Sequence, residues 1–350
     1  RNATTKMAEE PPMPVGAPSL VRNATTQDPH GKKTAADSPP SGQGSMFPIL
    51  AVVVVVIAVV YMLMSGPEQG ELDSPFDKER FASLLNTRDL GKKLEYKPRT
   101  STTMADAKLL VKQRTQDDLH GTVVVADSQT RAIGRKGRKW YAKSRDNLYA
   151  TFMWIPSLSA SPPPKGAVPQ EHLTHLNYAV AVAIARACAA EGASGVGIKW
   201  PNDIWISNRK VSGILLDYQP GKGGVALVGI GINVNEEIQH ADKIDATAKQ
   251  AISIRDATGY VALRERVLAR VLEETEALMA GTLASTLSSY GEYDMLKDRR
   301  IRVHHKSKNV DDPRDYDAVG VRPTKDGLEV VKSDGTKLTL LAEEVSISPA

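Results

Sequence analysis

The stretch Lys199-Trp200-Pro201-Asn202-Asp203-Ile204-Trp205, followed closely by Lys210-Val211-Ser212-Gly213-Ile214-Leu215-Leu216-Asp217, decides how this chain is read. Lys199 ends an apolar strand predicted over 196–200, where the Pro201-Asn202-Asp203 turn begins. A lysine at such a strand end can reach into a cleft and stabilise negative charge developing on a phosphoryl or acyl oxygen. Trp200 and Trp205 by themselves read as packing residues. Further strands are predicted over 203–207 and 210–217, so the stretch belongs to a sheet.

Upstream lies Gln129-Thr130-Arg131-Ala132-Ile133-Gly134-Arg135-Lys136-Gly137-Arg138-Lys139-Trp140, in which five cations crowd around two glycines. Glycines let backbone N–H groups approach an anion, and arginine offers a planar fork to carboxylate or phosphate oxygens. Alone, such a run is equally a solvated basic loop. Downstream, Gly229-Ile230-Gly231-Ile232-Asn233 alternates glycine with apolar residues. It reads as a buried strand that a ligand or backbone can approach closely. The dinucleotide spacing G-x-G-x-x-G and the Walker P-loop pattern are both absent, so nucleotide use would need another fold.

Around these stretches, strands are predicted at 95–96, 122–126, 148–155 and 225–234. Helices are predicted over 101–114, 173–190 and 261–278, with a helical lead-in over 76–94. The last part of the chain changes texture. Short β stretches at 300–304, 317–323, 327–332 and 336–341 are separated by the turn signals Lys325-Asp326-Gly327 and Ser333-Asp334-Gly335. That pattern predicts a small β-barrel over 291–350.

Residues 1–46 are poor in large apolar side chains and rich in Pro, Gly, Ser and Thr, which predicts a disordered segment. Two Asn-Ala-Thr sequons, at Asn2 and Asn23, are short enough to arise by chance. Residues 47–65 carry no charge and, as a helix, would match the ~30 Å hydrocarbon layer, so a transmembrane or signal-anchor helix is expected there, followed by a linker at 66–75. Basic and acidic side chains, 45 and 41, nearly cancel, which argues against a nucleic-acid partner. The one cysteine, Cys188, lies in an Ala-rich helix and reads as a small core residue rather than a reactive thiol. His172 and His175 lack an acidic or Cys partner at metal-ligand spacing, and His304-His305 alternate faces of a strand, so no resident metal is expected.

Taken in order, Ser101-Thr102-Thr103, Gly134–Trp140, Lys199–Asp203, Lys210–Leu215 and Gly229–Asn233 resemble the motif series of the biotin protein ligases, over roughly residues 76–350. The resemblance implies an α+β fold. A mixed sheet flanked by helices, like that of class II synthetases, would fill 76–290, with an SH3-like barrel over 291–350. It implies an ATP-dependent biotin–protein ligase that makes biotinyl-5′-AMP from biotin and Mg-ATP. The biotin then passes to a lysine on the biotin-acceptor domain of a carboxylase. By the same resemblance Ser101, Thr102, Thr103, Gln129, Gly134, Arg135, Lys199 and Gly213 serve biotin. Arg138, Trp140, Asn202 and Asn233 serve the nucleotide, and Lys199 and Arg135 are catalytic. Mg²⁺ would arrive with ATP, and a homodimer is compatible with the family.

The family loop usually reads Gly-Arg/Lys-Gly-Arg where this chain has Ala132-Ile133-Gly134-Arg135, so a glycine and a cation are missing. No N-terminal helix-turn-helix pattern is present, which leaves the repressor role of bacterial members without support. Two other readings stand beside the ligase. One is a lipoate or octanoyl transferase of the same fold, and the other a membrane-anchored, non-catalytic biotin-binding protein. ATP, biotin and an acceptor must share a compartment with residues 76–350. This favours a membrane-anchored enzyme facing the cytosol, or one targeted to an organelle.

Overall fold

In the computed structural model the described residues are 51–56, 68–159, 170–220, 224–238, 251–305, 312–342 and 346–349. The chain divides into two compact units, Arg1–Met64 and Ser65–Ala350. Of the first, only the exposed helical residues 51–56 are described. The disordered segment expected at 1–46, and most of the anchor expected at 47–65, therefore lie outside the described residues.

The second unit is built on a seven-stranded sheet. Its strands are β1 (Lys93–Lys97), β2 (Thr122–Ala126), β3 (Leu148–Trp154), β4 (Val196–Lys199), β5 (Asp203–Ile206), β6 (Arg209–Gln219) and β7 (Val225–Ile232). They lie in the order β1-β2-β3-β7-β6-β5-β4. β1 and β2 are parallel and all other neighbours antiparallel, so the sheet is mixed, as expected.

The helices are α1 (Lys78–Leu84), α2 (Thr103–Gln113), α3 (Gln116–Leu119), α4 (Pro156–Ser159), α5 (Gln170–Ala190), α6 (Ile254–Thr258), α7 (Arg264–Ala280) and α8 (Leu283–Gly291). Successive strand residues point to opposite faces, and the buried side chains sort accordingly. Val123, Val125, Phe152 and Val228 join the large core under α5 and α7. Val124, Met153 and Leu227 join a smaller core with Met104 and Ala107 of α2. Each large apolar side chain so buried contributes roughly 1.5–3 kcal/mol. Alanine and valine along α5 let it lie close to α7 and the sheet.

α5 is, among the described residues, the one helix long and apolar enough to cross a membrane, and 72% of its most apolar window is buried inside the fold. It is the central core helix. The expected membrane-anchored or organelle-targeted localisation is thus corrected: the one span-like helix among the described residues is the central core helix, covered by protein.

The C-terminal expectation also needs correction. β8 (Arg300–His304), β9 (Tyr316–Thr324), β10 (Gly327–Lys332), β11 (Lys337–Leu340) and β12 (Ser346–Pro349) form a five-stranded sheet in the order β11-β10-β9-β8-β12. Both predicted turns join neighbouring antiparallel strands. The sheet is open, not a closed SH3-like barrel. Closure would require the edge strands β11 and β12 to pair with each other. Each is four residues long and, among the described residues, pairs only with its inner neighbour.

Candidate active site

α2 covers its face of the sheet only at the β2-β3-β7 side. Beyond it, one cross-strand row runs Tyr149–Gly231–Gly213–Asp203–Lys199 across five strands. Gly231 and Gly213 are register partners, so two adjacent strands present bare backbone side by side. Trp140 lies on that patch. A Cβ on Gly231 would fall 2.8 Å from the indole Nε1 and Cε2, and one on Gly213 3.4 Å from its Cζ3. The two glycines are required because the ring occupies the volume that side chains would fill. The Trp140 Nε1–H is buried and has no hydrogen-bond partner among the described residues.

At the α2 end, Thr102 caps the helix, its Oγ1 accepting from the Ala105 N–H at 2.9 Å. The Thr103 N–H donates to Gln129 Oε1 at 2.8 Å, and the Thr103 and Thr151 hydroxyls bond to each other at 2.8 Å. The Ser101 carbonyl accepts from the Arg131 N–H. This ties the Ser-Thr-Thr segment to the start of the basic loop. The Gln129 N–H donates to the Ala142 carbonyl at 2.7 Å, and two residues before it Asp127 is a buried carboxylate that accepts from the Phe76 N–H (3.1 Å), Tyr96 Oη (2.6 Å) and Arg264 Nη1 (3.2 Å). Burial and that carboxylate push the Tyr96 hydroxyl up to about 12.

The basic loop folds back on itself. Ile133 bridges Lys139, the Trp140 N–H donates to the Ala132 carbonyl, and the Gly134 N–H to the Arg138 carbonyl at 2.7 Å. A 3₁₀ turn over Arg135–Gly137 makes the reversal, with Lys136 and Gly137 both at positive φ. Arg138 is exposed at this turn. Arg135 reaches inward: one Nη donates to Asn202 Oδ1 at 3.0 Å and the other to the Ala342 carbonyl, beyond β11. Asn202 Nδ2 in turn donates to the Ile214 carbonyl at 2.6 Å. Loop, turn and C-terminal sheet meet at one guanidinium.

Lys199 is 5% exposed, and its Nζ stands 4.9 Å from the centroid of the Trp205 ring. Trp200 is a packing residue with a partner, its indole N–H reaching Tyr178 Oη at 3.2 Å. Asn233 is buried and donates to the Ile252 carbonyl at 3.2 Å, so it braces the backbone beyond β7. Past it, Asn147 Nδ2 donates to Glu236 Oε2 at 2.6 Å, and burial raises the pKa of that carboxyl.

Thus Thr103 and Gln129 come together, as do Arg135 with Asn202 and Trp140 with Gly213, whereas Asn233 is engaged elsewhere. Sequence reasoning missed Lys210. Its Nζ is 2.6 Å from Asp203 Oδ1 and 5.3 Å from the Trp140 ring centroid. A Cβ on Gly213 would meet that Nζ at 3.2 Å. Strict alternation puts Lys210 on the face opposite Gly213, but the register shifts between Ile204 and Trp205 so that Trp205 faces Lys210. This irregularity re-aims Lys210 into the site. The available signal was its place in the Lys210–Leu215 motif itself.

Among the described residues no group of three or more His, Cys, Asp or Glu could hold a metal ion. His172 Nε2 instead accepts from the Trp154 indole at 3.1 Å, and His175 Nε2 pairs with the Thr286 hydroxyl at 2.8 Å. Cys188 is buried, its thiol pushed up to about 12 by desolvation. A surface cavity of about 330 Å³ beside Phe76, Asp77 and Glu265 lies at the lead-in and takes in none of these site residues.

The model of the biotin/lipoate A/B protein ligase family matches residues 96–235. The bifunctional ligase/repressor BirA of Bacillus spizizenii is 31% identical over 190 residues, covering 54% of this chain and 54% of that protein. The biotin–[acetyl-CoA-carboxylase] ligase of Mycobacterium tuberculosis is 29% identical, covering 60% of this chain and 73% of that one. The chain thus spans about half the length of the first of these relatives. Among solved structures, the biotin protein ligase from Aquifex aeolicus in complex with biotin and ATP superposes with a TM-score of 0.58 at 22% identity. That match covers 74% of this chain and 100% of that one, and at this identity it speaks for the fold. The matched span takes in the Ser-Thr-Thr segment, the basic loop, Lys199, Lys210 and the glycine strand, so over these residues the chain is similar to the biotin/lipoate A/B protein ligase family and to the biotin ligases named here.

Proposed function

We propose that the protein is an ATP-dependent biotin–protein ligase. The observation that carries this is the single face on which Thr103 and Gln129, the Gly231–Gly213 patch under Trp140, and two lysines lie in sequence. That order suits an elongated substrate with a polar ring at one end and a carboxylate at the other. In the first half-reaction a carboxylate oxygen of biotin attacks the α-phosphorus of ATP. The bond from that phosphorus to the bridging oxygen breaks, and pyrophosphate leaves. In the second, the neutral amine of an acceptor-domain lysine attacks the acyl carbon. AMP departs with the bonding electrons and the amine sheds a proton.

Thr102, Thr103 and Gln129, with Ser101 on the outer side, would hold the ureido end through hydrogen bonds. Lys199 and Lys210 would counter the charge of carboxylate and α-phosphate, which repel each other until screened. Gly134, Arg135 and Arg138 belong to the loop that keeps water from the adenylate, Trp140 on Gly213 lies between the biotin and nucleotide ends, Asn202 serves the nucleotide side, and Asn233 acts only by bracing the backbone beyond β7. Mg²⁺ accompanies the triphosphate and neutralises part of its charge.

The test is to incubate the full chain with Mg-ATP, labelled biotin and a purified biotin-acceptor domain, beside Lys199→Ala and a parallel reaction with labelled lipoate. Transfer of biotin, lost in the variant, is expected. Biotin binding without transfer would favour a non-catalytic binding protein, and transfer of lipoate alone the lipoyl reading.

A further inference from the structure

One buried hydroxyl joins three parts of the fold. Tyr178 of α5 is 2% exposed, and its Oη accepts from the Trp200 indole N–H at 3.2 Å while donating to the Thr324 carbonyl at 3.0 Å. Its proton and a lone pair are therefore both engaged. Burial pushes this hydroxyl up to about 12, so it stays protonated and remains a donor at neutral pH.

The two partners belong to different elements. Trp200 follows Lys199 and opens the turn from β4 into β5. Thr324 ends β9 in the C-terminal sheet, at the turn into β10. That second turn is itself fixed: the Thr324 hydroxyl donates to the Gly327 carbonyl at 3.1 Å and accepts from the Asp326 N–H at 3.2 Å. The residue before Tyr178 grips the first turn as well, Asn177 Nδ2 donating to the Pro201 carbonyl at 2.8 Å. So α5 holds two consecutive residues of the turn that follows Lys199, and shares one of those holds with the C-terminal sheet. Packing alone would be satisfied by a phenylalanine. The neighbouring Tyr290 supplies the contrast. Its ring meets that of Tyr178 edge-on, 5.1 Å between centroids, yet its Oη is buried with no hydrogen-bond partner among the described residues.

We propose that Tyr178 is a positioning residue: its hydroxyl fixes the turn after Lys199 against the C-terminal sheet, so that the backbone carrying Lys199 and Asn202 keeps one position during adenylate formation. This rests on the ligase reading above. Tyr178 and Trp200 both lie in the large core under α5. The residue therefore acts through the turn, and its loss lowers turnover while leaving the biotin requirement unchanged.

The experiment uses the full chain and has two readouts. The first is pyrophosphate release from Mg-ATP and biotin by wild type, Tyr178→Phe, Tyr290→Phe, Trp200→Phe and the Tyr178→Phe/Trp200→Phe double variant. Tyr178→Phe is expected to lower kcat about 10-fold with the KM for biotin within about 2-fold, the effect of a small misplacement of reacting groups. Tyr290→Phe removes a hydroxyl from the touching ring and should keep the wild-type kcat. Trp200→Phe should cost less in the Tyr178→Phe background than alone, the non-additivity of a contacting pair. The second readout is amide hydrogen exchange. Segments 200–204 and 324–330 should both exchange roughly 5-fold faster in Tyr178→Phe and at the wild-type rate in Tyr290→Phe. Wild-type kcat in Tyr178→Phe, an equal loss in Tyr290→Phe, additive losses in the double variant, or unchanged exchange in the two segments would each overturn the proposal. A wild-type protein that releases no pyrophosphate would instead sink the ligase reading itself, and the role of Tyr178 with it.

Discussion

The indole of Trp140 lies flat enough on Gly231 that a methyl group there would sit 2.8 Å from ring atoms. No real Cβ contact is that close, so Gly231→Ala must displace the ring or bend β7. The cost of such overpacking is about 1–3 kcal/mol, which, expressed in biotin affinity where the displaced ring lines the pocket, is roughly 5- to 150-fold. Gly229→Ala is the internal control. Its Cβ would meet Met104 Cε at 3.1 Å, the free end of a flexible side chain, so affinity should stay within about 3-fold. Calorimetric titration with biotin compares the two, and equal losses would mean that the ring does not define the pocket.

Lys210 is predicted to matter to adenylate formation as much as Lys199 does. It is half-buried, paired with Asp203 and adjacent to the bare backbone at Gly213. Lys210→Met should slow single-turnover pyrophosphate release by roughly 100-fold, the scale of losing one charge-stabilising group. Asp203→Asn, which leaves the cation in place but loosens it, should cost about 10-fold. If Lys210→Met releases pyrophosphate at the wild-type rate, its ammonium serves only to steady Trp140.

These contrasts mark how far the sequence could be read. The sheet was legible because its strands are short apolar runs bounded by turn residues. The core helix α5 was legible because Leu176, Val180 and Ile184 recur every four residues. The grouping of Thr103 with Gln129 came from a resemblance of motif order, which placed Trp140 with the nucleotide and Gly213 with biotin and did not bring the two together as the structure does. Lys210 was hidden because a single register shift reverses the face that alternation assigns to it. The partner of Arg135 was hidden because Ala342 is 207 residues away and contributes a carbonyl, a group every residue carries. The barrel was over-read: the β propensities and turns at 300–340 are real, but closure depends on edge pairing that propensity does not encode.

The loop carries a further expectation. Ala132 and Ile133 stand where the resembled family has a glycine and a cation, and Ile133 is 54% exposed. Arg135 is left to hold the closed loop through Asn202 and the Ala342 carbonyl. The purified enzyme should therefore release biotinyl-adenylate faster than a ligase with the usual loop. Arg135→Ala should speed release by a further factor of about 10 and speed tryptic cleavage after Arg138 and Lys139, which are already exposed. Ile133→Arg should slow it. Retention of the adenylate by the wild type for as long as a usual-loop ligase would refute this account.

The last expectation concerns acid. His120, His172 and His175 are each held below their ordinary value of 6.5, chiefly by burial. Two act as acceptors in the neutral form: His120 Nδ1 takes the Ile155 N–H and His172 Nε2 the Trp154 indole, both at 3.1 Å. A histidine with a lowered folded pKa binds fewer protons folded than unfolded, so stability rises with pH across that interval. The contribution is complete above about pH 6.5 and is lost as the pH falls through the folded values. The carboxyls of Asp118 and Asp315, lowered by hydrogen bonds to their neighbours, act only in more acidic solution. Glu236, raised by burial, runs in the opposite sense, so the informative comparison is between variants rather than between pH values alone. The urea midpoint of the wild type should fall by a few tenths molar between pH 7.5 and pH 5.5. His172→Gln keeps an acceptor for Trp154 without a titrating proton and should fall less. An equal fall in both proteins would mean that the Trp154–His172 bond survives protonation or contributes nothing.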